Sequence, residues 1–363
     1  MSRLRTVAPF LIFAVGVAAV HLFLRSTGTE YCFTQLTMSV YYALVVLGLS
    51  LLIGYAGQVS LGHGAFFALG GYTSAVLTTH DLGKVMGSAW ARWLRDIHVL
   101  VEKQDLFGNQ IVVVTPWAAF AAAIAVTVLA ALLIGYPALR LRGHYLAMAT
   151  LGFGLIIGKL LVGNPLTGGA DGINGVPPWT LVPGLTISGR SALRVENYYI
   201  ACGLALVVLV LLRNTVQSGI GRVLLAIHDG ERAANAMGIN TASHKLRVFL
   251  LSAVLAAVAG VCFTHYAGGI GPSESGAMKS VRSVALAAAG GMSNLWGVTA
   301  VSIALNYASL RGWFGTYDHA VFGLILIAII ALAPDGPLKP AAAWIQKRFR
   351  KTPTGTEVGR GAA

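Results

Sequence analysis

Apolar runs recur along this chain from residue 7 to residue 333, at 7–24, 38–54, 62–79, 117–136, 144–163, 198–212, 246–267, 281–291, 297–310 and 319–333. A helix needs roughly 20 mostly apolar residues to cross the hydrocarbon core of a bilayer. In lipid every backbone N–H and C=O must find a partner within the protein, so runs of this kind become helices packed on one another. Charge is too scarce for any other outcome. Only 11% of the 363 residues are charged, against about a quarter in soluble domains. So few charged side chains cannot coat a water-facing surface of this size, which excludes a cytosolic enzyme, a nucleic-acid-binding module and a disordered chain. The 44 glycines exclude a simple coiled coil and suit close-packed membrane helices. The predicted fold is all-α: a polytopic membrane bundle of about ten transmembrane helices, with short or broken helices near the midplane.

The charges present set orientation. Lys and Arg number 26 against 13 Asp and Glu, and in membrane proteins cations are retained on the cytoplasmic side. Arg213, Arg222, Arg232, Lys245 and Arg247 mark 213–245 as cytoplasmic. Arg3 and Arg5, Arg140 and Arg142, and the tail from Lys339 to Arg360 carry the same signal. A break at Met292-Ser293-Asn294 gives ten crossings and places both termini inside; without it, nine crossings put the basic tail outside. The first run resembles a signal peptide but lacks a small-x-small cleavage site, so it reads as a retained helix. The membrane domain covers 1–351, and 352–363 reads as a disordered tail. Outside lie 80–116, predicted to include a short surface helix, and 164–197, predicted to be turn and loop.

All thirteen carboxylates fall in loops or at span ends, and Lys159, near a span end where it can snorkel, is the one ionisable group this reading places in a span. An ion-coupled transporter usually needs such a group inside the bilayer. There is no phosphate-cradling glycine–lysine loop, no His-Glu-x-x-His pair and no nucleophile–base–orienter set. His228 and Asp229 are a lone adjacent pair, which does not support a membrane-embedded enzyme. Cys32, Cys202 and Cys262 have no paired spacing, so neither a disulfide framework nor a metal site is indicated. No cofactor is implied. Energy for any active transport must come from another polypeptide.

Five segments carry more than composition. Gly54–Tyr72 holds six glycines in nineteen residues. Irregular backbone at membrane depth is tolerated where it is buried in protein or lines a water-filled cavity. Gly57, Gln58, Ser60, Gly62, His63 and Phe66 therefore either line a solute pathway or simply pack helices. Leu139–Gly154 carries a positive-inside anchor. Thr167-Gly168-Gly169-Ala170-Asp171 is a structural turn or a contact in an outer gate. In 218–240, Leu224, Ile227, Ala233, Ala234 and Met237 fall at helical spacing, Glu231 suits a helix N-terminus and Gly238 can close one. Two short helices outside the bilayer result, either resting on headgroups or docking a small apolar face into a protein groove. In the last segment, Gly290-Gly291 precede a polar break ending at Asn294, a faint echo of the first. Broken helices in corresponding positions of two halves point to a midplane pathway.

In order, GYAGQVSLGHGAFFALGGY, LRLRGHYLAMATLGFG, TGGADGI, GRVLLAIHDGERAANAMGIN and LAAAGGMSNLWG span Gly54 to Gly297, about two-thirds of the chain. Together they resemble the permease subunits of ATP-binding-cassette importers for branched-chain amino acids, in particular the M-type. The resemblance implies that 218–240 is the loop that couples to an ATPase, with Gly221, Arg222, Ile227, Glu231, Ala233, Ala234, Met237 and Gly238 in it; Arg232 interrupts the family's small-residue signature. It implies a second, H-type permease subunit, two cytoplasmic ATP-binding subunits and an external solute-binding protein as partners. It also implies a bacterial inner-membrane location, with lipid around the bundle and no nucleic acid. Branched-chain amino acids are the implied solutes; urea or short amides, or a passive channel, are the alternatives.

Overall fold

The computed structural model describes residues 2–81, 99–104, 110–138 and 144–332. Among these residues the helices are α1 (Ser2–Ser26), α2 (Cys32–Ser50), α3 (His63–Thr79), α4 (Pro116–Ala138), α5 (His144–Gly163), α6 (Arg194–Gln217), α7 (Gly219–Ala236), α8 (Thr241–Ala267), α9 (Ala277–Ala289), α10 (Leu295–Leu310) and α11 (Asp318–Leu332). Each of the ten apolar runs carries a helix. By length and composition six of these helices can cross a membrane: α1, α2 with its extension, α4, α5, α6 and α8. The other apolar helices are shorter, α3 with 17 residues, α9 with 13, α10 with 16 and α11 with 15.

Burial ranks the helices from centre to rim. The most apolar window of α2 is 83% buried and that of α1 only 6%. A helix that is hydrophobic all round is a core helix, and α2 packs against α6, α8, α9 and α10. Its end widens into a π-helical turn, Leu51–Tyr55, with every residue buried. At the rim, α1 reaches the bundle through Phe10 and Phe13, both against Trp296.

The α3–α8 seam shows why glycine is abundant. A Cβ added at Gly260 would sit 2.0 Å from the Phe67 carbonyl oxygen, and one at Gly70 would sit 2.6 Å from Ala257 Cα. Backbones at that separation gain dispersion contacts that larger residues would prevent, the usual basis of helix association in lipid.

The helix break after α2 and the one between α9 and α10 lie against each other at Gly54 and Met292. In the second break the chain leaves helical geometry at Gly291, with φ +84°. Asn294 then caps α10 by accepting a hydrogen bond from Gly297 N at 3.2 Å.

Two expectations need correction or qualification. The described part of 80–116 is not helical: β1 (Leu100–Gln104) and β2 (Gln110–Val114) form an antiparallel hairpin with Leu100 opposite Val114. Its Ile-Val-Val-Val run is β-branched, which favours strand over helix. Within 164–197, β4 (Trp179–Val182) and β5 (Leu185–Ile187) form a second hairpin, and β3 (Ile173–Asn174) pairs with β6 (Gly269–Ile270). The Arg140/Arg142 loop, the surface-helix expectation over 82–98 and the tail from residue 333 lie outside the described residues.

The seam makes a paired prediction. Gly260→Ala forces the Phe67 carbonyl to move and should cost about 1–3 kcal/mol, lowering the apparent thermal midpoint in detergent. Gly203→Ala, in α6 with nothing within 4 Å of the added Cβ, should leave that midpoint unchanged or raise it.

Candidate functional site: two helix breaks and the helix beneath them

The two irregular segments meet. Ser50 Oγ donates to the Met292 carbonyl at 2.7 Å, and Tyr55 OH donates to the Ser293 carbonyl. Gly54 lets the chains approach: a Cβ there would fall 2.2 Å from Met292 O. Gly290 and Gly297 do the same within the second break, where a Cβ on Gly297 would lie 2.2 Å from Gly290 O. A break in a membrane helix leaves carbonyls without intrahelical partners, and here two side chains of the other half supply them.

Beyond the π turn the chain turns at Gly57, φ +66°, a conformation that favours glycine. A Cβ on Gly57 would sit 3.1 Å from His228 Nδ1 of α7. The first break therefore rests on the helix that follows α6. Next to it Gln58 is 4% exposed, and neither atom of its side-chain amide has a hydrogen-bond partner. Burying an unpaired polar group costs about 1–3 kcal/mol, so Gln58 is held there at the expense of stability.

The following residues go elsewhere. Leu61 N donates to Thr150 Oγ1 at 2.9 Å, and a Cβ on Gly62 would be 2.8 Å from the Thr150 carbonyl oxygen. His63 is wholly buried, its Nδ1 3.1 Å from Ser60 Oγ and its Nε2 2.6 Å from Ser252 Oγ of α8. Phe66 packs against Phe153 and Phe249. Ser60, Gly62, His63 and Phe66 thus sit in the packing of α3 with α5 and α8, whereas Gly54 and Gly57 link the Gly290–Asn294 break to α7.

Helix α7 is two helical stretches joined at Gly230, which has extended geometry (φ −171°, ψ 94°). Ser218 caps the first by accepting from Ile220 N at 3.1 Å. Gly221 lies so close to Val216 that a Cβ would be 1.9 Å from its carbonyl oxygen. Leu224, Ile227 and Ala234 are buried, whereas Arg222, Arg232, Ala233 and Met237 are exposed, Met237 at 83%. Glu231 does not face outward alone: it pairs with Lys245 at 2.7 Å and accepts from Thr241 Oγ1 at 3.4 Å, tying the second stretch to the start of α8. Gly238 at φ +82° ends the unit, with Ile239 N donating to Ala234 O.

Thr167, Gly168 and Gly169 form a pinned turn at the other end of the bundle. Thr167 Oγ1 donates to Leu161 O at 2.6 Å, Gly168 and Gly169 have φ of +73° and +59°, and the chain then enters the β3–β6 pair.

A charged cluster escaped the sequence reading. In α9, Lys279 pairs with Glu274, and Tyr42 OH donates to the same carboxylate at 3.1 Å. Arg282 lies 3.5 Å from Asp318 and stacks over the Phe322 ring. Arg282 stands inside the run 281–291, so Lys159 is not the one ionisable group in a span. The spacing of Lys279 and Arg282, three residues apart and hence on one helix face, was the available signal; treating Lys279 as loop concealed it.

Comparison with known proteins places this architecture. A family described as branched-chain amino acid transport system / permease component matches residues 31–330. The chain is 28% identical over 350 residues to LivM, a high-affinity branched-chain amino acid transport system permease protein of Escherichia coli (strain K12), covering 91% of this chain and 74% of that one. It is 27% identical over 314 residues to the corresponding protein BraD of Pseudomonas aeruginosa, covering 84% and 93%. A shorter match, 28% over 144 residues and 36% of this chain, joins it to LsrC, an autoinducer 2 import system permease protein of Photorhabdus laumondii. No solved structure matches. A membrane helical bundle matched over this extent belongs to the branched-chain amino acid ABC transport permease family, as a LivM-like member.

Proposed function

We propose that this permease imports branched-chain amino acids across a bacterial inner membrane, driven by ATP hydrolysis on separate cytoplasmic subunits. Its body crosses ten times with both termini inside, α9 and α10 being the two short crossings on either side of their break. A homologous H-type permease subunit completes the pathway, two ATP-binding subunits dock below, and an external binding protein delivers the solute.

One observation carries the mechanism: α7 touches Gly57, and Gly57 follows the end of α2 and its π turn, where Ser50 and Tyr55 hold the Met292 and Ser293 carbonyls. ATP binding draws the ATPases together and displaces α7. The displacement passes through His228 and Gly57 to the π turn, and the junction with 290–294 opens toward the cytoplasm. Each hydrogen bond there contributes about 0.5–1.5 kcal/mol net, so the junction can be broken by a modest difference in nucleotide affinity between two states. The exposed face of α7, with Ala233 and Met237 beside Arg232, is small enough to enter a groove on an ATPase. Glu231 keeps the second stretch of α7 rigid on α8, so that a push at this face is transmitted rather than absorbed.

Two substitutions separate docking from transmission. Ala233→Arg adds bulk to an exposed position and should reduce both co-purification of the ATPase subunits and leucine uptake by about tenfold, the effect of some 1.4 kcal/mol; a passive channel would keep its flux. Gly57→Ala strains a left-handed residue by about 1–2 kcal/mol and crowds His228. It should leave the ATPases bound and hydrolysing while solute moved per ATP falls, measured in proteoliposomes with the whole complex.

A further inference from the structure

Helices α2, α9 and α10 also share a gap away from the junction of the breaks. The gap between them is a cavity of about 120 Å³, roughly ten times the volume one water requires. Tyr42, Lys279, Arg282 and Asn306 supply its polar wall, and Val46 and Leu286 are among its apolar ones.

The donors in this wall are unevenly used. Lys279 is engaged by Glu274 and by Tyr42 OH at 3.1 Å. Arg282 gives one Nη1 contact to Asp318, while its Nε and Nη2 have no partner. Nε and Nη2 form the side edge of the guanidinium, two parallel N–H bonds spaced to receive both oxygens of one carboxylate. Stacking over Phe322 at 3.9 Å holds the plane of that fork. Asn306, only 7% exposed, has an Nδ2 without a partner. Buried donors are normally satisfied, and these unpaired ones belong to two residues lining the same cavity.

We propose that this cavity receives the carboxylate of the transported amino acid, the Arg282 side edge and Asn306 Nδ2 donating to it, with Val46 and Leu286 contacting the aliphatic side chain. The assignment rests on the import of branched-chain amino acids and names the permease residues that would hold the solute in passage. It accounts for two partly buried cations on one helix of the bundle: Asp318 and Glu274 balance their charge and aim them, leaving the Arg282 fork vacant for an acceptor. A solute lacking the carboxylate leaves the same donors unpaired, and that penalty discriminates strongly in sites built to hydrogen-bond.

The test uses the whole transporter in proteoliposomes, with radiolabelled L-leucine on the binding protein, and reads leucine moved per ATP hydrolysed. Arg282→Lys keeps the charge facing Asp318 but removes the fork, and the ratio should fall about tenfold. Asn306→Leu removes an amide N–H₂ that bonds nothing in the protein, so a purely structural residue should tolerate it with equal or higher thermal stability. The expected result is intact stability with a several-fold lower ratio, and this variant decides the matter should Arg282→Lys fail to assemble. Wild-type ratios in Asn306→Leu, or in an assembled Arg282→Lys, would overturn the carboxylate assignment while leaving import intact. Failure of the wild-type complex to take up leucine would instead overturn the import reading and this assignment with it.

Discussion

Two carbonyl oxygens hold this architecture together. A membrane helix that breaks must have its freed backbone groups satisfied by protein, and the α9–α10 break depends on Ser50 and Tyr55 for that purpose. Ser50 ends α2 and Tyr55 ends the π turn that continues it, and the chain beyond rests on α7 through Gly57. The same few atoms therefore stabilise the irregular backbone and connect it to the only helix whose two stretches leave an exposed small-residue face between basic residues among the described elements. Removing either donor would leave a carbonyl of the break without its side-chain partner, so the junction that stabilises the break is also the one the proposed mechanism uses.

The opposite ends of the helices behave differently. Between α2, α9 and α10 the cavity wall mixes polar and apolar residues, and its cations are paired, Lys279 with Glu274 just before α9 and Arg282 with Asp318 of α11. On the proposed mechanism, a cavity set apart from the junction suits alternating access, solute entering one end while the other is sealed. His63 shows the contrast. Both its ring nitrogens lie within hydrogen-bond reach of serine hydroxyls and it is wholly buried, so its polarity serves the packing of α3 on α8.

Much of the fold was legible because its determinants are local. Apolar runs of sufficient length marked the helices, Gly290-Gly291 with Ser293-Asn294 marked the break, and Gly238 marked the end of the α7 unit. Pairings between distant segments were not legible. Gly54 and Met292 are far apart in the chain, and nothing local says that one glycine exists to admit another segment's carbonyl. Arg282 was hidden for a related reason: a cation at the start of a run reads as an interface residue until Asp318 is seen to hold it inward. The hairpin at 100–114 was missed because mixed charge suggested a surface helix, while the β-branched run of β2 was the stronger signal.

The central claim is that ATP-driven movement of α7 separates the two breaks. Val59 and Met292 are both partly exposed, at 41% and 42%, beside the first and within the second, so each can carry a spin label after Cys32, Cys202 and Cys262 are replaced. Pulsed electron–electron resonance on the assembled transporter should then show one distance distribution without nucleotide and a longer one after trapping with ATP and vanadate. An unchanged distribution, in a complex that hydrolyses ATP and imports leucine, would contradict the account.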